Sequence, residues 1–166
     1  MSSYIEQIRL MKEARTKDEN PIVSVLNKIG GIRAWTNDAG AEDNRRLGDV
    51  LFVLDTLEYG IEAQVSRKYP KFSYSADKIG KYQGDFVFLG CLERDLDAGI
   101  AGEMLFVVLD REELEDVLHE MPKGVYVLGK GDRTFYTIYP TVLTKCGSAV
   151  FGSTIEAVVR EFVGKL

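Results

Sequence analysis

The chain has 166 residues, 45% of them hydrophobic and 28% charged, with a formal net charge of −5. One domain spanning 1–166 is expected, long enough to bury a core without disulfide or metal staples, and the balance excludes general disorder and a generic nucleic-acid sponge. Two widely spaced cysteines, Cys91 and Cys146, and the single His119 exclude a disulfide framework and a histidine-rich metal centre.

The N-terminus reads as an amphipathic helix over residues 3–15, with Ile5, Ile8, Leu10 and Met11 at helical spacing and Arg9, Lys12 and Arg15 outward. It is not a signal peptide, and no apolar run reaches the roughly 18 residues of a membrane span, so a cytoplasmic chain without membrane contact is expected. Asn20 is a good helix cap and Pro21 a good first residue for a second helix, carrying Ile22, Val25, Leu26 and Ile29 and stopped by Gly30-Gly31. Three strands follow, at 31–36, 49–54 and 59–66, separated by a polar loop over 37–47 and a turn at 55–58. Residues 71–83 read as a helix interrupted by Gly80, and 85–92 as a strand apolar enough to be buried on both faces.

A second buried strand is expected over 104–109. Asp110 then caps a helix ended by Pro122-Lys123-Gly124. Residues 125–128 and 134–139 flank Gly129-Lys130-Gly131-Asp132, a hairpin turn rather than a phosphate-binding loop. Ser153 or Thr154 caps a last helix over 155–163. The order predicts an α/β fold, a mixed central sheet flanked by helices.

Chemistry is expected where carboxylates share a sheet face. Asp49 opens the second strand and Glu62 lies inside the third. Period-two alternation puts Glu62 and Gln64 on one face, with Ala63 and Val65 on the other. A carboxylate among apolar strand neighbours is costly unless something binds it. A hairpin between the two strands brings Asp49 and Glu62 together if the register agrees. The structural alternatives are a hydrogen bond from Asp49 to the preceding loop and an ion pair of Glu62 with Arg33, Arg45 or Arg46.

Residues 1–92 balance 13 basic against 13 acidic side chains, and 93–166 carry the whole excess of acid. Within the first part, Arg67, Lys68, Lys71, Lys78 and Lys81 face only Asp77, so an anionic partner would be met there; the bland alternative is a solvated face. His119 is expected on the surface, Cys91 in the core, and Phe135, Tyr136 and Tyr139 in core or interface, with base stacking as the minority alternative.

Residues 19–92 resemble the core of the PD-(D/E)xK nuclease superfamily, most closely its archaeal Holliday-junction resolvase branch. Gly48-Asp49 resembles the family's Pro-Asp, Glu62-Ala63-Gln64 its Glu-x-Lys, and Glu19 its helix glutamate. The resemblance implies a restriction-endonuclease-like αβββαβ core, with 93–166 as an α/β extension of the same domain. It implies a DNA endonuclease that uses Mg²⁺ or Mn²⁺ and works as a homodimer. Metal would be held by Asp49, Glu62, the Ala63 carbonyl and Glu19. Gln64 stands where the family has lysine, and Lys68, in parity with Glu62, is the expected substitute, with Lys78 or Lys81 as others. The resemblance implies phosphate contacts from Arg67, Lys68, Lys71, Lys78 and Lys81. The alternative is a nuclease-like module without catalysis, serving in binding or assembly.

Overall fold

A computed structural model of the chain describes residues 19–37, 46–93 and 103–166. The helix expected over 3–15 and most of the loop over 37–47 lie outside the described residues. Residues 19–28 are helical (α1), with Glu19 and Asn20 already inside the helix rather than capping it. Gly31, at φ 84°, turns the chain out of α1.

The strands β1 (Ile32–Thr36), β2 (Val50–Leu54) and β3 (Leu57–Val65) form the expected meander. The turn between β2 and β3 is tighter than expected. Only Asp55 and Thr56 form it, both at positive φ (50° and 69°), a geometry whose twist matches the flanking strands. The meander begins at an edge, and α1 closes that edge. The Asn27 amide accepts from Ala34 N (2.8 Å) and donates to Ala34 O (3.0 Å), occupying backbone groups that would otherwise invite another strand.

The helix expected over 71–83 is absent. In its place stand β4 (Phe72–Ser75), a single 3-10 turn (Ala76–Lys78) and an irregular run to Asp85. Phe72-Ser73-Tyr74-Ser75 alternates apolar and polar, which is strand periodicity. Phe72 and Tyr74 are fully buried, and the two serines are not. The chain then enters β5 (Phe86–Leu92), parallel to β3, and returns along β6 (Met104–Asp110).

Asp110 precedes α2 (Arg111–Glu120) without a side-chain cap bond. Next come β7 (Val125–Lys130) and β8 (Arg133–Ile138), the expected hairpin, turned at Gly131-Asp132. A short helix α3 (Pro140–Leu143) and a strand β9 (Val150–Gly152), neither expected, lead to α4 (Ile155–Gly164), capped by Thr154, whose side chain accepts from Ala157 N.

The strands make a mixed six-stranded sheet, β1-β2-β3-β5-β6-β9, and a three-stranded antiparallel sheet, β4-β8-β7. The large sheet separates two cores. One holds Val50, Phe52, Ile61, Phe86 and Phe88 under α1 and α4. The other holds Val87, Leu89, Val107 and Leu109 under α2 and the small sheet. β5 is buried on both faces, as its composition predicts. Cys91 is fully buried, and burial pushes its thiol up to about 12. His119 is exposed.

Candidate functional site

β2 ends at Val50, which pairs with Ile61, and Asp49 and Glu62 each lie one residue beyond that pair. Cross-strand partners share a sheet face. Val50 and Ile61 belong to the core under α1, and alternation along β3 turns Glu62 the other way, toward the small sheet.

β2 stops at Val50, and a residue's N–H and C=O point to the same side of its strand. The main chain of Ala63 thus faces the space beyond the end of β2. Asp49 fills part of that space: its Oδ2 accepts from Ala63 N at 3.0 Å, and its own N–H donates to Ile61 O at 2.8 Å. The bond expected from Asp49 to the preceding loop falls on residues that lie largely outside the described ones.

Glu62 is 5% exposed, the one polar or charged residue among the described residues that is buried to the same degree as the core. Its Oε1 lies 2.7 Å from Lys78 Nζ. Lys78 sits in the 3-10 turn directly after β4, and reaches Glu62 because β4 runs beside β3 and β5 instead of forming a helix. The Gln64 Oε1 accepts from Ser75 N at 3.1 Å, fastening β4 to the same strand.

Two buried tyrosines complete the surroundings. The Tyr82 hydroxyl lies within hydrogen-bond distance of Gly60 O (3.0 Å) and Phe86 O, bracing the start of the β3–β5 pairing. Burial first, then the Glu62 charge, raises its pKa far above the usual phenol range. Tyr74 is raised similarly, by burial first and then by Glu62 and Glu115, with Arg111 opposing. Its hydroxyl and Glu115 Oε1 are buried without a hydrogen-bond partner among the described residues. Asp49 also contributes to the Tyr74 shift, so both site carboxylates act on one phenol.

The expected basic residues disperse. Lys68 is exposed, three positions beyond the end of β3, because the strand stops at Val65 and the chain bends away; strand parity does not extend to it. Lys78, not Lys68, is the lysine beside Glu62. Arg67 and Lys81 are exposed, and Lys71 lies over the Tyr139 ring with Nζ 4.9 Å from its centroid. Arg33 stacks against Trp35 at 5.9 Å, and Arg45 lies outside the described residues. Glu19 belongs to α1, which covers the opposite face of the sheet. Among the described residues, no three His, Cys, Asp or Glu side chains gather as a metal-binding group.

Tyr74, Tyr82 and Glu115 escaped the sequence reading. The alternation from Phe72 to Ser75 was the available signal for Tyr74. Glu115 becomes a neighbour only through the packing of α2. A groove of about 470 Å³ lies elsewhere, between α2 and α3, with Glu113, Asp116, Lys123 and Lys145 on its walls. Among the described residues, no helix is long and apolar enough to cross a membrane. No protein-family model matches the chain, nor does any curated protein or solved structure.

Proposed function

We propose that this chain is a DNA endonuclease dependent on Mg²⁺ or Mn²⁺, with a restriction-endonuclease-like core, cutting phosphodiester bonds in branched or otherwise structured DNA as a homodimer. One observation carries the reading: the Asp49 carboxylate is bonded to Ala63 N, the residue after Glu62, with Lys78 2.7 Å from the Glu62 carboxylate. Two carboxylates and the Ala63 carbonyl are hard oxygen donors, and Mg²⁺ is commonly held by one or two carboxylates, with waters and substrate phosphate as its other ligands. Glu19, on the other side of the sheet, is not needed in that set. A bound cation would supply charge that neutralises the scissile phosphate and activates water.

The chain's own residues do the rest. Asp49 and Glu62 would hold the cation. Lys78 balances the Glu62 charge before the cation arrives, and its partly exposed ammonium then turns to the phosphate. This gives Lys78 the transition-state role expected of Lys68. Gln64 positions β4, and with it Lys78, through its bond to Ser75.

A second reading is the module without catalysis. It is favoured by the engagement of each motif side chain within the protein: Asp49 with Ala63 N, Glu62 with Lys78 and Gln64 with Ser75 N. Thermal melts with and without Mg²⁺ or Mn²⁺, beside cleavage of duplex, single-stranded and four-way DNA, separate the two. The enzyme should gain several degrees with either cation and cut at least one substrate, and Glu62→Gln should lose both effects. A wild-type protein that neither gains stability nor cuts any substrate is the inert module. A monomer by light scattering removes the homodimer while leaving the chemistry intact.

A further inference from the structure

We propose that the outer face of the β4-β8-β7 sheet binds a single strand of DNA. The proposal rests on the nuclease reading for the choice of DNA and adds where an unpaired stretch of substrate is held. The sheet's inner face is settled by burial: Phe72, Tyr74, Val125 and Ile138 lie in the second core. Strand alternation then turns Tyr126, Leu128 and Phe135 outward. Tyr126 is 50% and Leu128 56% exposed, and Tyr139, just past β8, is 37% exposed. The Tyr126 and Tyr139 rings meet edge to face at 5.9 Å, which fixes two aromatic surfaces beside each other.

The charges at the strand positions of this face have one sign, with Asp132 in the turn between β7 and β8 as the nearby acid. Lys130 and Arg133 are cross-strand partners with the outward parity of Leu128 and Phe135, and Lys71 lies over the Tyr139 ring. Among the described residues, no strand position of this face carries an aspartate or glutamate, although the chain as a whole has a net charge of −5. A basic, aromatic face on an acidic protein is complementary to a polyanion with planar groups. Exposed rings stack on unpaired bases, which a duplex keeps stacked on each other, so the single strand is the better fit. β4 also ties this sheet to the carboxylate strand: the Ser75 N–H lies on Gln64, and Lys78, three residues later, on Glu62.

Fluorescence anisotropy with a labelled oligothymidylate, in EDTA and at several salt concentrations, tests the proposal. The single strand should bind more tightly than a duplex of equal length. Joint substitution Tyr126→Ala and Tyr139→Ala should weaken it about tenfold or more. Lys130→Gln and Arg133→Gln should each lower the slope of log affinity on log salt by about 0.7. These two residues flank an exposed turn, so they carry the test should the aromatic variant fail to fold. Wild-type affinity in the folded aromatic variant, unchanged salt slopes or a preference for duplex overturns the proposal. So does a dimer that Leu128→Lys dissociates without affecting DNA binding, which assigns the face to a second copy of the chain. Nothing is cut in EDTA, so failure here is distinct from failure of the cleavage assay on Glu62→Gln.

Discussion

Glu62 and Lys78 share a contact but not an environment. The carboxylate side chain is 6% exposed and the lysine side chain 37%, so the ammonium can extend into water and the carboxylate cannot. The two deletions are therefore unequal. Lys78→Met takes the cation from a buried charge and should cost about 1–3 kcal/mol. Glu62→Gln leaves a lysine that rehydrates and should cost less than about 1 kcal/mol. Urea titrations of both variants check this, and equal costs would show that burial of Glu62 is not what the pair offsets. A second residue-scale tie lies at the start of α2. Glu113 accepts from the Ser148 hydroxyl and from Ser148 N (3.1 Å), and the same hydroxyl oxygen accepts from Asp110 N (3.0 Å). The Ser148 hydroxyl, foremost, holds the Glu113 carboxyl below its ordinary value. A depressed carboxyl contributes stability above its unfolded pKa, about 4.3, that is lost as pH falls through the lower folded value. Asp110 acts in the opposite direction. Burial first, and then Glu113, raises its carboxyl, so its protonation relieves the fold. Ser148→Ala should cost about 1 kcal/mol at pH 7, and the difference from wild type should shrink below about pH 4. A pH series of denaturation midpoints measures it, and a constant difference would exclude Glu113 as the source.

At the scale of elements, the carboxylate pair depends on how closely β3 passes the loop before β2. A Cβ on Gly60 would lie 1.9 Å from Leu47 O, a main-chain atom that cannot swing aside. Gly60 is also held by Asp85, whose Oδ2 accepts its N–H at 2.9 Å. Gly60→Ala should therefore cost about 3 kcal/mol and lower the melting temperature markedly, although it adds only a methyl. A melt within a degree or two of wild type would contradict so tight an approach. The same elements show what the sequence disclosed. The meander, both double-buried strands, the β7–β8 hairpin and the Thr154 cap follow local rules of alternation, turn chemistry and capping, and all are present. Asp49 and Glu62 were legible for the same reason. The stretch from Phe72 to Ser75 was not read as a strand, because four residues of alternation compete with a helical reading across Asp77, Lys78 and Lys81. Its pairing partner is supplied by β8, far along the chain. Lys78 was legible as a basic residue but not as the partner of Glu62, since that contact requires β4 to be a strand.

At the scale of the molecule, the large sheet is a wall between two cores, and the two halves of the chain build both. Phe162, Val158 and Val150, from the C-terminal part, pack with Val50 and Ile61, while Ile138 and Leu114 pack with Phe72 and Tyr74. Residues 19–92 thus bury their apolar faces against residues 104–162. The pairing of Phe72 with Ile138 adds an order in time. It closes a loop of roughly 65 residues, and closing loops of that length slows pairing relative to local hairpins. On the ribosome, β4 emerges with no strand to join. It waits until β7 and β8 have been made, with Phe72 and Tyr74 still uncovered and the lysine after them still unanchored. The carboxylates of β2 and β3 are synthesised in the first half of the chain, but their basic partner is fixed only when the second half arrives. A ribosome stalled before β8 would hold a chain with Glu62 already in its strand and the lysine that meets it still unplaced.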